Sequence, residues 1–254
     1  MTPGPDSGPR PVHEIVERTA DGALIYDAKL VPNATEASFA ARGWQTVKPV
    51  ENVLRSGGRG NTLILGDGQN EFVLRHFRRG GLVGRFVRDA YLWLGEDKTR
   101  SFAEWRLLQK MEAMGLPVPK PAIARYIRRG FSYTADIITL RVPDIRSLSA
   151  RLVDEESDSG LWQRIGAGLA EFHACGVNHA DLNAHNVQID STGAVWLLDF
   201  DKATIQAAGT WQQKNLARLH RSLQKIRQQD PRVSYRERDW EDLLAGYFQS
   251  SSSA

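Results

Sequence analysis

Apolar residues recur along this chain with two different periods, and the change of period divides it. Up to about residue 140, short runs rich in β-branched and aromatic residues dominate: 23–26, 63–65, 71–77, 122–127 and 131–140 each predict a strand. The turn GDGQN at 66–70 separates two of these runs, and Arg128, Arg129 and Gly130 split the last two into a hairpin. Residues 34–41 read as a helical turn or two. A helical period first appears at 99–114, where Phe102, Trp105, Leu108 and Met111 share a face and Gly115 and Pro117 end the pattern. Beyond residue 160 helices prevail: 161–174, followed by Gly176 as its terminator; 211–228, through Leu216, Leu219, Leu223 and Ile226; and 238–247, through Trp240, Leu243, Leu244 and Tyr247. Two short strands, 187–190 and 194–198, flank a Ser191-Thr192-Gly193 turn. The whole predicts an α+β fold, β-rich at 21–142 and mainly helical at 143–249, with an exposed acidic link at 154–160. Residues 1–20, rich in Pro and Gly at their start, are expected to be disordered, and the SSSA tail loose.

Composition narrows the class. Of 254 residues, 41% are apolar, enough for a substantial core. No run of about 18 uninterrupted apolar residues occurs, and the opening MTPGPDSGPRP lacks the basic-then-apolar order of a secretory signal, so a cytoplasmic protein is expected. The single cysteine, Cys175, excludes an internal disulfide and a cysteine-based zinc site; its apolar helical surroundings predict a buried packing residue. A net charge of +3 says little, but its distribution says more. Arg75, Arg78, Arg79, Arg85 and Arg88 alternate with Phe77, Leu82, Val83, Phe86 and Val87 before the first acid, Asp89, and Tyr91, Leu92, Trp93 and Leu94 follow. Cations interleaved with large apolar side chains suit an anionic lipid surface. Nucleic acid competes for the same charges, and a solvated basic loop beside a core helix fits equally well.

The candidate chemistry lies in His179-Ala180-Asp181-Leu182-Asn183-Ala184-His185-Asn186 and in Asp199-Phe200-Asp201, with Asp181 and Asp199 separated by 18 positions. The kinase catalytic loop H-R-D-L-x-x-x-N and metal motif D-F-G have this order and spacing. In that pattern Asp181 accepts or orients the proton of an acceptor hydroxyl. Asn186 and Asp199, at the outer ends of a hairpin, hold Mg2+ against the phosphates of ATP. Upstream parts are individually weak. Gly57, Gly58 and Gly60 in SGGRGNT form either a plain hairpin turn or a loop whose backbone approaches phosphate. Arg75 occupies the strand position where the pattern has a lysine, or is simply a solvated strand arginine. Glu104 is either the helix acid paired with that cation or the far end of a capping box begun by Ser101. Their joint order points to an ATP-dependent phosphotransferase. No A-P-E follows, and about ten residues separate Asp201 from the next helix, so no platform for a peptide acceptor is expected. Asp201 in place of the glycine of D-F-G argues against a mobile motif. A non-enzymatic pseudokinase is disfavoured because Asp181, Asn186 and Asp199 are all present.

HADLNAHNVQID with LLDFDKA, GGRGNT and VLRHFRRGGLVGRF resembles the lipopolysaccharide kinases over about residues 20–245, most closely those acting on 3-deoxy-D-manno-octulosonic acid (Kdo). The resemblance implies a two-lobed protein-kinase-like fold, with a basic insertion at 78–98. It implies transfer of the ATP γ-phosphate to the 4-hydroxyl of Kdo on a lipid A precursor, with Asp181 as the catalytic aspartate. It also implies a peripheral place on the cytoplasmic face of a Gram-negative inner membrane, which favours the lipid reading of 75–94 over nucleic acid. No obligate protein partner is expected. A heptose kinase of the same pathway, or a small-metabolite phosphotransferase whose loop also runs H-x-D, remains the alternative.

Overall fold

The five predicted runs assemble, with three further strands, into one sheet. In chain order they are β1 (Glu14–Arg18), β2 (Gly22–Asp27), β3 (Thr46–Pro49), β4 (Leu63–Gly66), β5 (Glu71–His76) and β6 (Tyr91–Leu92), then, after helix α1 (Arg100–Ala113), β7 (Pro121–Arg129) and β8 (Ser132–Leu140). All pair antiparallel, in the order β1-β2-β7-β8-β5-β4-β3, and β6 adds to β8. The computed structural model describes residues 14–50, 62–78, 89–154 and 159–251. It divides into two compact units, Met1–Gly115 with Lys120–Arg141, and Leu116–Pro119 with Val142–Ala254.

In the first unit the pleat sorts side chains between two faces. Leu24, Tyr26, Phe72, Leu74, Ile123 and Ile138 form one core, which Ala34 and, from the 3-10 turn Glu36–Phe39, Phe39 close. Helix α1 covers the other face with Phe102, Trp105, Leu108 and Met111, all fully buried, and Phe102 meets Tyr126 of β7 at 5.3 Å. Two expectations need correction here. Residues 14–18 are a strand, not part of a disordered start. Every side chain of β1 is exposed, so its sequence carries no burial pattern; backbone pairing with β2 makes it. Phe131 belongs to the turn before β8 rather than to the strand, and is 87% exposed.

The second unit contains β9 (Arg146–Ser147), α2 (Leu148–Asp154), α3 (Ser159–Ala174), β10 (Val177–Asn178), β11 (Val187–Ile189), β12 (Val195–Leu197), β13 (Thr204–Ile205), α4 (Trp211–Gln229) and α5 (Glu237–Ser251). Its core is helical, as the period-3.6 runs predict, and a β-rich unit with a helix-rich one is the expected fold class. Helices α3 and α5 approach closely through reciprocal glycines. A Cβ on Gly166 would lie 2.0 Å from the Leu243 carbonyl oxygen, and one on Gly246 would lie 2.1 Å from that of Gln163. Cys175, just past α3, is half-buried rather than buried, because the chain has already turned toward Gly176 (φ 76°) and β10. Residues 155–158 of the acidic link, the first 13 residues and the last three lie outside the described residues.

Candidate active site

The loop between β10 and β11 alternates inward and outward residues. Leu182 and Ala184 are fully buried, which turns Asp181 outward and leaves Asn183 partly exposed. The loop then ties itself. The Asn183 side-chain oxygen accepts from the backbone N–H groups of His185 (2.9 Å) and Asn186 (3.2 Å), while its amide donates to the Asp181 carbonyl (2.9 Å) and carboxylate (3.3 Å). Asn186 donates its own amide to the same Asp181 carbonyl at 2.9 Å. That bond fixes the orientation of the Asn186 side chain and presents its oxygen, not its nitrogen, to an incoming cation.

His179 is the strut behind the loop. Its Nε2 faces the Leu198 carbonyl at 3.0 Å and its Nδ1 accepts from the Asp181 N–H at 3.2 Å, so the ring bridges the catalytic loop and the residue before Asp199. Those two bonds require the neutral ring with the proton on Nε2. Burial, the dominant influence, pushes the His179 pKa below its ordinary value. Phe200, 1% exposed, packs against His179 at 5.0 Å and Phe172 at 6.3 Å, which anchors the Asp199-Phe200-Asp201 segment. Asp199 itself is exposed and holds φ at 63°, a left-handed conformation that aspartate tolerates better than most residues.

Strands β11 and β12 pair Val187 with Leu197, and the Leu198 N–H donates to the Asn186 carbonyl at 3.0 Å. Asn186 and Asp199 therefore leave the same end of the hairpin. At the other end Asp190 accepts from Thr192 N–H and Oγ1, Ala194 N–H and Trp196 Nε1; these bonds, led by that of the Thr192 side chain, pull its carboxyl pKa down to about 2. The turn that sets the hairpin register is thus held by an ionised aspartate.

A row of polar residues on α4, Asn215, Arg218 and Ser222, holds the loop from the other side. Asn215 Oδ1 accepts from the His179 N–H at 3.0 Å, and Ser222 Oγ accepts from the Ala184 N–H at 3.2 Å. Arg218 Nη1 donates to the Asp181 carboxylate at 3.0 Å. The spacing of these residues puts them on one side of a helix. That spacing was the available signal for residues the motif did not name, since the same helix pattern otherwise marks only apolar positions.

Within the first unit, Arg75 and Glu104 form an ion pair. Arg75 points to the side of β5 opposite the core residues Phe72 and Leu74, and Glu104 lies on the buried face of α1 with Trp105 and Leu108. Arg75 Nη2 donates to both carboxylate oxygens of Glu104, at 2.5 and 2.6 Å, and the guanidinium stacks 4.6 Å from the Phe77 ring centre. The capping-box alternative fails because Thr99, not Ser101, is the N-cap residue; Ser101 Oγ is buried inside the helix without a hydrogen-bond partner. Gly57, Gly58 and Gly60 lie outside the described residues, as do Arg79, Arg85 and Arg88; Arg78 is 3.9 Å from Asp89. The structure thus gathers Asp181, Asn186 and Asp199 in the second unit and Arg75 with Glu104 in the first.

The donor set fits a hard divalent cation such as Mg2+. Asn186 and Asp199 offer an amide and a carboxylate oxygen, and Mg2+ commonly takes only one or two protein oxygens beside phosphate and water. Among the described residues no cluster of three or more His, Cys, Asp or Glu is placed to hold a metal ion.

Comparison with known proteins gives the family. Residues 44–247 match the lipopolysaccharide kinase (Kdo/WaaP) family. A 3-deoxy-D-manno-octulosonic acid kinase of Xanthomonas campestris pv. campestris is 39% identical over 231 residues, 89% of each chain. One from Vibrio parahaemolyticus is 37% identical over 225 residues, 88% of this chain and 92% of its own. The bifunctional kinase-methyltransferase WbdD, a solved structure, is 17% identical with TM-score 0.41 over 82% of this chain and 47% of its own, a likeness too distant to bear on function. The loop, the hairpin and these relatives converge: the chain belongs to the lipopolysaccharide kinase (Kdo/WaaP) family.

Proposed function

We propose that this kinase transfers the γ-phosphate of ATP to the 4-hydroxyl of Kdo on a lipid A precursor, a step of lipopolysaccharide core assembly. The observation that carries the chemistry is the exposed Asp181 carboxylate, braced by Asn183 and flanked by Asn186 and Asp199. The acceptor rests on the relatives that bear the Kdo kinase name over nearly nine-tenths of this chain.

In this reading the acceptor hydroxyl docks against Asp181, which orients it and takes its proton as the new O–P bond forms and the bond to the ADP leaving oxygen breaks. Asn186 and Asp199 would hold Mg2+, which would supply charge neutralisation at the transferring phosphate. His179 keeps the Asp181 and Leu198 backbones in register, so that base and metal ligands share one rigid frame. Glu104, 4% exposed, fixes the Arg75 guanidinium, and that cation takes the strand lysine's part toward the nucleotide phosphates.

A peripheral membrane position on the cytoplasmic face of the inner membrane belongs to the same proposal. It is supported by an apolar corner in the first unit. Leu92, Leu94 and Phe131 are 61%, 64% and 87% exposed, and the Trp93 N–H bonds the Phe131 carbonyl at 2.9 Å, so their backbones adjoin. The exposed Arg128 and Arg129 stand beside them, and the arginine-rich stretch leads into β6. Among the described residues no helix is long and apolar enough to cross a membrane.

The test is direct. The protein is incubated with Mg-ATP and, separately, Kdo-lipid A precursor, heptosylated core and free aminoglycoside, and the phosphorylated product is located by NMR. Phosphate on the Kdo 4-hydroxyl is expected. Labelling of heptose alone overturns the acceptor, and labelling of none overturns the kinase mechanism.

A further inference from the structure

The cation beside the catalytic base has a task that the phosphoryl-transfer scheme does not give it. Two of the three α4 residues that touch the catalytic loop, Asn215 and Ser222, bond its backbone N–H groups. Arg218 instead bonds the Asp181 carboxylate itself, and both side chains are half open to solvent, at 50% and 59%. In that position its guanidinium competes with any acceptor hydroxyl for a lone pair of the base. A second anion beside the guanidinium would share its fork and ease that competition.

Arg218 also belongs to a series. Lys214, Arg218, Arg221 and Lys225 are all exposed and recur at spacings of four, three and four, which lines them along one side of α4. The row runs past the loop: Arg218 touches Asp181, and Lys225 stands close enough to His185 to add to burial in lowering its pKa.

We infer that Arg218 is the acceptor-specificity residue of this kinase, binding the carboxylate of the acceptor sugar while Asp181 takes the hydroxyl. The inference rests on the Kdo reading, because Kdo is a sugar acid whereas heptose carries no carboxylate. A planar guanidinium can present one nitrogen to the aspartate and the rest of its fork to a second carboxylate. The sugar is then gripped at its acid end with its hydroxyl toward the base.

The test crosses enzyme variants with acceptor variants. Wild-type protein, Arg218→Gln and Arg218→Lys are each assayed with Mg-ATP on the Kdo-lipid A precursor and on the same precursor with the Kdo carboxyl converted to its primary amide. On the acid acceptor, Arg218→Gln is expected to raise KM about 10- to 100-fold, the range for a hydrogen bond to a charged group, with Arg218→Lys between it and wild type. On the amide, wild type is expected to fall to the level of the glutamine variant, and the substitution to cost no more than about twofold further. Equal losses on acid and amide overturn the inference and make Arg218 a positioning residue for Asp181. A lowered kcat with unchanged KM does the same. Melting temperatures and Mg-ATP affinities within error of wild type identify the variants as folded; a variant that has lost its fold is replaced by Arg218→Met, which keeps the stem without the charge. Wild-type inactivity on the acid acceptor overturns the acceptor assignment and this inference together, and is distinct from an active wild type with equal losses.

Discussion

At the level of single residues, the loop divides its polar side chains between those whose atoms are all bonded, such as Asn183 and His179, and Asn186, whose oxygen is left for chemistry. Asn186 spends its amide on the Asp181 carbonyl, and Asp181 is the carboxylate that Asn183 steadies. Asp181→Ala is therefore expected to lower turnover by at least about 100-fold while Mg-ATP binds as before by calorimetry; lost nucleotide binding would remove Asp181 from the base role. The buried histidines carry a pH prediction. Burial holds His179 below its usual pKa and lowers His173, bonded to Tyr247, from 6.5 to about 4. Both must be neutral in the fold, so the unfolded chain binds the extra protons. The His173 contribution is complete above about pH 6.5 and is lost as pH falls from there toward about 4, and the His179 contribution is lost in the same direction. Calorimetric melting temperatures should decline over this range, and His173→Gln, which keeps a partner for Tyr247 but takes no proton, should flatten the decline.

At the level of elements, strength lies in contacts that periodicity alone does not display. Gly166 and Gly246 look like weak points in α3 and α5. Replacing Gly166 by Ala would gain about 1 kcal/mol of helix propensity, yet the new Cβ would meet backbone, which cannot rotate away. Overpacking costs about 1–3 kcal/mol even against movable side chains. Gly166→Ala should therefore show a net loss of roughly 1 kcal/mol or more in urea unfolding, and a gain would mean that the helices can part.

What the sequence discloses at this level follows from side chains that repeat. Leu216, Leu219 and Leu223 place α4, and the D-x-x-x-x-N spacing followed by a hairpin places Asp181, Asn186 and Asp199 together. Strand β1 escapes because all its side chains face water. The reciprocal glycines escape because each has meaning only beside the other helix. The α4 polar residues escape because Asn215, Arg218 and Ser222 differ in chemistry, and only their common target unites them.

At the level of the whole molecule, the exposed apolar corner beside arginines makes the proposed membrane attachment open to measurement. Changing Leu92, Leu94 and Phe131 together to Ser removes three large side chains worth about 1.5–3 kcal/mol each when fully buried. Sedimentation with anionic vesicles should fall at least about 10-fold, while activity on a soluble Kdo acceptor stays near wild type. A parallel fall in both would place the corner in catalysis instead of docking.

The segment after Asp199 has one more consequence. Phe200 is buried against His179; three residues beyond Asp201, β13 pairs with β10; and α4 begins at Trp211. A protein kinase controlled by modification keeps a long loop here that can be ordered or released. This chain ties that stretch down at every few residues, so the segment offers no long loop for a modification to order or release.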